Sequence, residues 1–171
     1  LISWNGGGFD LPVLHYRALL HGVQAPRYWE LGENEGGFRY NNYLSRFHWR
    51  HLDLMDVLSG WQGRSRASLN DIATLLGFPG KLGFGGDQVW DTWLKGDIGA
   101  IRDYCETDVL NTYLIWLRFQ FMRGQLDEQG LAAEVARVHR FLEASDASHW
   151  RAFATAWGVR SGAPSPPAGP G

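Results

Sequence analysis

The chain has 171 residues, of which 44% are hydrophobic and 20% charged, with a formal net charge of −2. This composition fits one soluble globular domain with a real core and excludes a disordered chain. No apolar run reaches the roughly 18 residues that a membrane helix needs, and the single cysteine, Cys105, excludes an internal disulfide and favours a reducing, cytoplasmic setting.

In chain order, Leu1-Ile2-Ser3-Trp4 reads as the end of a buried strand, so the opening strands of the domain are expected before Leu1. Gly6-Gly7-Gly8 makes a turn. Asp10 then caps a helix from about Leu11 to His21, with Leu11, Leu14, Ala18 and Leu19 as its apolar stripe and Gly22 as its stop. Residues 23–47 read as irregular. Asp53 caps a short helix through Leu58 that stops at Gly60, and Ser68-Leu69-Asn70-Asp71 opens another that ends before Gly77. The loop Phe78 to Gly86 is glycine-rich and carries Lys81, but its spacing is not that of a nucleotide P-loop.

Asp87 is expected to cap a short helix ending at Gly96. Asp97 caps the longest helix, about Ile98 to Met122, with Ile101, Cys105, Tyr113, Leu117 and Phe121 at core spacing. One further helical region spans about Leu131 to Trp157. From Gly158 onward, twelve of fourteen residues are Gly, Pro, Ser or Ala, a composition that reads as a flexible tail.

Charge is unevenly spread. Phe38 to Arg66 holds Arg39, Arg46, Arg50, Arg64 and Arg66 against Asp53 and Asp56, a local balance of +3 that leaves −5 for the remainder. Tyr40, Tyr43, Phe47, Trp49 and Trp61 interleave with those arginines. Guanidinium groups that neutralise phosphates, mixed with rings that stack on bases, are what a single-strand groove requires. The plainer alternative is a solvated loop with a few core aromatics.

Two motifs point to chemistry. Asn5-Gly6-Gly7-Gly8-Phe9-Asp10 lies at a strand-to-helix junction, and Tyr104-Cys105-Glu106-Thr107-Asp108 lies inside the long helix. Residues four apart on a helix share a face, so Tyr104 and Asp108 project together. Two-metal phosphodiester hydrolysis needs carboxylates that hold hard cations and a group that orients the attacking water. A Tyr-x-x-x-Asp alone arises about 0.4 times by chance in this composition, so the weight rests on the ordered pair of motifs. Asp53 and Asp56 read as capping and solvated carboxylates. Glu106 points away from the Tyr104–Asp108 face and reads as solvated, and Cys105 has no partnered histidine for nucleophilic work.

On these motifs the chain resembles the DEDD 3′→5′ exonucleases, in their tyrosine-containing branch, and among them bacterial proteins related to the proofreading domain of family-B DNA polymerases. The stretches His51 to Leu58 and Ser68 to Ala73 add to the resemblance, which covers about Leu1 to Phe121. It implies an α/β, ribonuclease-H-like fold, a mixed sheet flanked by helices and here missing its first strands. Residues 1–157 would form that domain and residues 158–171 its tail.

The resemblance also implies roles. Asp108 would ligate one divalent ion, Mg²⁺ or Mn²⁺, and Asp10 would support a second. Tyr104 would position the water. Asn5 and Phe9 would line the cleft at the 3′ end of a single strand, with Arg39, Arg46 and Arg50 on its phosphates. The family's Asp-x-Glu is expected before Leu1, so these residues by themselves should be nearly inactive. RNA in place of DNA, as in ribonuclease-D-like members, and a degenerate non-catalytic binding domain are the alternatives.

Overall fold

A computed structural model describes residues 1–83 and 85–161, for the last three the backbone only. The described chain is 61% helical, so helices rather than strands carry most of the core. It divides into two compact units, Leu1–Ala67 and the part from Ser68 onward. The expectation of a flexible stretch over 158–171 meets a helix that runs on to Ser161; the remaining residues, 162–171, lie outside the described ones.

In the first unit, β1 (Ile2–Ser3) pairs in parallel with β2 (Leu52–Asp53), with Ile2 opposite Leu52 and Ser3 opposite Asp53. The expected strand is there, but it is short, and Ile2 is 38% exposed rather than buried. Among the described residues the sheet is this one parallel pair, where a mixed sheet was expected. Helix α1 (Asp10–His21) follows the glycine turn, and a short α2 (Pro26–Trp29) interrupts the stretch expected to be irregular. Helix α3 (Leu54–Leu58) leaves directly from β2.

Two expectations for α1 are corrected. Asp10 is its first helical residue, not its cap: Phe9 holds the cap position without a side-chain bond. The turn's own carbonyls do that work, Asn5 O accepting from Phe9 N (3.0 Å) and Gly6 O from Leu11 N (2.9 Å). The Leu11–Leu14–Ala18–Leu19 stripe is not a core, because α1 buries none of its residues.

In the second unit the helices are α4 (Leu69–Leu75), α5 (Val89–Leu94), α6 (Ile98–Met122), α7 (Glu128–Glu143) and α8 (Ser148–Ser161). Local chemistry starts three of them. Ser68 Oγ accepts from Asp71 N, Asp97 from Ala100 N and Asp127 from Gly130 N, each satisfying an otherwise orphaned helix donor. Asp87 caps nothing: it lies in a single 3-10 turn, Gly86–Gln88, and Gln88 occupies the cap position of α5. The helical region expected over 131–157 is two helices, separated at Ala144–Ala147.

Helix α6 contacts α4, α5, α7 and α8. Its buried apolar residues are Leu110, Leu114, Ile115, Leu117 and Phe119. Of the expected stripe only Leu117 is buried; Cys105 is exposed and Phe121 is 38% exposed. The helix is enclosed on several sides in its second half, so a one-face periodicity misjudges it. Val138 and Leu142 from α7 and Phe153 and Trp157 from α8 complete the core. Phe78 meets Trp157 edge-on, with centroids 5.8 Å apart, the offset geometry that aromatic pairs prefer.

Candidate active site

The first motif is a turn held from outside itself. Asn5 sits in the left-handed region at φ 61°, which asparagine tolerates better than most residues. Its N–H donates to Asp53 Oδ1 at 2.9 Å, and Gly7 N–H donates to Asp53 Oδ2 at 2.8 Å. Asp53 also accepts from Met55 N at 3.2 Å, which caps α3 as expected. Beside it, His51 Nε2 lies 2.8 Å from Ser3 Oγ. Burial pushes the His51 ring below its ordinary pKa, against the pull of Asp53. Phe9 (64% exposed) and Asp10 face solvent at the end of the turn. A cleft of about 410 Å³ opens in this unit, lined among others by Gly7, Tyr43, Arg46, Asp53 and Trp61.

The second motif is a pair on α6. Tyr104 and Asp108 share a side-chain hydrogen bond, one helical turn apart and half-buried. Burial first, and the Asp108 carboxylate second, hold the Tyr104 phenol above its ordinary range, so it stays neutral and donates its O–H. Burial also raises the Asp108 carboxyl, while Tyr104 and Lys81 pull it back down.

Lys81 is there because its loop is pinned. Asn111 on α6, fully buried, accepts from Gly80 N (3.3 Å) and donates to Gly80 O (3.1 Å), and Lys81 N donates to Asn70 Oδ1 (2.9 Å). Gly80 has φ 66°, and a Cβ there would meet Asn70 Oδ1 at 2.6 Å, so the position favours glycine twice over. Sequence reasoning noted Lys81 and set it aside with the rejected P-loop. Only its neighbours make it part of the site.

The arginines of the basic stretch are partly used internally. Arg50 lies 3.8 Å from the centroid of the buried Phe38 ring, and its Nε donates to Asn41 O. Arg46 stands over Phe47 at 4.8 Å. Arg39 is exposed at the end of a 3-10 turn. The loop between is built by side-chain amides: Asn41 Oδ1 accepts from Trp49 N and Arg50 N, and Asn42 Oδ1 from Leu44 N and Ser45 N. The stretch is irregular in its dihedrals but closely hydrogen-bonded.

Glu106 corrects its expectation as well. It projects away from Tyr104 and Asp108, since Asp103 and Glu106 lie roughly 150° around the helix from that pair at 100° per residue. It is not left to solvent, however: Glu106 Oε2 lies 2.7 Å from His149 Nε2, with Asp103 Oδ2 3.4 Å from Nδ1 of the same ring. Donor atoms of Asp103, Glu106 and His149 all lie within 4.8 Å of one another, a set that could hold a cation. Arg102 already pairs with both carboxylates, and the group ties α6 to α8. No local pattern links residue 106 to residue 149, so nothing in the sequence signals the pairing.

No helix of the described residues is long and apolar enough to cross a membrane. Comparison with curated proteins and with solved structures returns no match. A family model described as a predicted 3′-5′ exonuclease related to the exonuclease domain of PolB matches residues 1–157. The match takes in both motifs, the Asp53 anchor and the Tyr104–Asp108 pair, and a nuclease of this kind has a nucleic acid as its substrate. The chain therefore belongs to the family of predicted 3′-5′ exonucleases related to the exonuclease domain of PolB.

Proposed function

We propose that the chain works as a divalent-metal-dependent 3′→5′ exonuclease of ribonuclease-H-like architecture, in the cytoplasm, removing nucleotides from the 3′ ends of single-stranded DNA. The observation that carries this reading is the half-buried, hydrogen-bonded Tyr104–Asp108 pair inside the family-matched stretch. Asp10 enters the reading separately, through the family motif that it completes in the first unit. The preference for DNA follows the family's relation to PolB.

The donors fit hard cations such as Mg²⁺ or Mn²⁺. Asp10 and Asp108 offer only carboxylate oxygens, and Asp108 carries a burial cost that a nearby cation would offset. When bound, such ions lower the pKa of a coordinated water and stabilise charge on the phosphate. The chain's own residues do the rest. Tyr104, neutral and tied by its O–H to Asp108, has a phenolic oxygen that can accept from a water and orient it. Lys81 adds positive charge beside Asp108. Asn5 and Phe9 flank the 3′ end, and Arg39, Arg46 and Arg50 meet the strand. The 171 residues contain no Asp-x-Glu, so the reading requires a further pair of carboxylates from outside them, in cis or in trans.

The test uses the product of the complete reading frame, a 5′-labelled single strand with its 3′ end open or blocked, and Mg²⁺ or Mn²⁺. Asp108→Asn and Asp10→Ala should abolish release of mononucleotides from the open end. Tyr104→Phe should cost about 10- to 100-fold, the loss of one orienting contact. An RNA strand degraded faster than the DNA strand would move the assignment to RNA. An Asp108→Asn protein that degrades the open strand at the parental rate would overturn the reading altogether.

A further inference from the structure

We infer that Asp53 is a positioning residue for this site: its carboxylate holds the Asn5–Asp10 turn in place and, through the turn, sets the start of α1 and Asp10. The inference rests on the nuclease reading for its consequence, but its structural part stands on the first unit alone.

A helix-capping aspartate needs only an amide of its own helix. Asp53 has that bond, to Met55 N, and then takes two more from a segment 46 to 48 positions earlier in the chain. Both carboxylate oxygens are used, Oδ1 for Asn5 and Met55 and Oδ2 for Gly7, and the residue is only 8% exposed. Hydrogen bonds to an ionised acceptor are about twice as strong as neutral ones. Two of them fix the turn at Asn5, the residue with the unfavourable positive φ, and at Gly7.

The path onward is short. Asn5 O accepts from Gly8 N and Phe9 N, and Gly6 O accepts from Leu11 N. The carbonyls that begin α1 thus belong to residues that Asp53 clamps or that lie between them. The strand register adds a second constraint, because Asp53 is also the residue paired with Ser3. Among the described residues no side chain caps the start of α1 at Asp10. Loosening the clamp therefore frees the turn while leaving α3 a cap if the replacement can still supply one.

Asp53→Ser makes that separation, because serine is as good a helix cap as aspartate but has one short oxygen that cannot reach both Asn5 and Gly7. In the product of the complete reading frame, backbone amide exchange at Asn5 and Gly7 should speed up by about tenfold or more, and the Asp10 amide resonance should shift. Met55 and the rest of α3 should keep parental exchange. That factor corresponds to losing one charge-assisted hydrogen bond at each amide. In the exonuclease assay, kcat should fall about 10- to 100-fold and more Mn²⁺ should be needed for half-maximal rate, while KM for the strand stays within about twofold, as expected when the machinery and not strand binding is misplaced.

Asp53→Asn, isosteric and also a good cap, carries the same comparison if the serine variant fails to fold: it can satisfy Asn5 or Gly7 but not both. Parental exchange at both amides would show that Asp53 merely caps α3, and equal loss across α3 and the turn would show a general structural role; either overturns the inference. A parental protein without any nuclease activity would sink the functional reading, and the exchange measurement would still decide whether the clamp exists.

Discussion

The two units hold themselves together in different ways. From Leu1 to Ala67 only Phe38, Leu52, Leu54 and Met55 are buried apolar residues, whereas eleven residues from Ala73 to Trp157 fill the core of the second unit. The first unit relies instead on polar hubs. Asp53 gathers three amides, Glu30 gathers the amides of Gly32, Glu33 and Asn34 and the Asn34 side chain, and Asn41 and Asn42 close the next loop. Apolar burial is insensitive to pH and indifferent to exact direction. Hydrogen-bond hubs place loop atoms accurately, but one built on a carboxylate, as at Glu30, depends on the charge of that group. On the proposed nuclease reading, a turn that presents Asp10 and Asn5 benefits from the second kind of construction, and a long helix that carries Tyr104 and Asp108 benefits from the first.

The contrast can be broken most directly at Phe153. It is fully buried in the aromatic core of the second unit, so Phe153→Ala should cost about 3–5 kcal/mol, lowering Tm by roughly 10 °C at this chain length. Hydrogen exchange should locate the loss in α6, α7 and α8 and leave the amides of Asn5, Gly7 and Gly32 to Asn34 protected. Equal loss in both units would end the distinction drawn here.

A smaller effect is expected at Tyr113, whose hydroxyl donates to Glu134 at 2.9 Å between α6 and α7. Because apolar packing carries this unit, Tyr113→Phe should cost only about 1 kcal/mol, read by urea unfolding. A loss comparable to that of Phe153→Ala would mean that polar contacts matter here as much as in the first unit.

The smallest effect is local and tests the polar hubs. Hydrogen bonds from the Asn34 side chain first, and then from the backbone amides of Asn34, Gly32 and Glu33, hold the Glu30 carboxyl at about 2 against an ordinary value near 4.5. The folded-state value is depressed, so the ionised group contributes stability that is fully present above pH 4.5 and is lost as the pH falls toward 2. Exchange at Gly32, Glu33 and Asn34 should therefore accelerate across that window, after allowance for intrinsic rates, while α6 amides stay protected. Glu30→Gln should remove most of the pH dependence. A loop with the same acid response in the Gln variant would remove Glu30 as its hub.

Much of the local structure was legible beforehand. Asp53, Ser68 and Asp97 were readable as caps, Gly22 and Gly77 as helix ends, and Tyr104 with Asp108 as a one-turn pair, because each of these signals spans at most about four residues and follows from backbone geometry. The misreadings have a common origin. Asp10 looked like a cap until the glycine turn's own carbonyls were seen to start α1, and Cys105 and Phe121 looked buried until the neighbours of α6 were known. Glu106 looked solvated until His149 arrived from 43 residues away.

By itself, then, the sequence determined the caps at Asp53, Ser68 and Asp97, the shared face of Tyr104 and Asp108 on α6, and the two motifs that mark the exonuclease family. Only the tertiary structure decided that Asp53 reaches back to Asn5 and Gly7, that Lys81 comes near enough for its charge to act on Asp108, and that α1 buries nothing among the described residues. Helix caps and face sharing are set by bonds within a single turn, whereas those partnerships join residues 27 to 48 positions apart, and no period or spacing in a chain encodes which distant segments fold against each other.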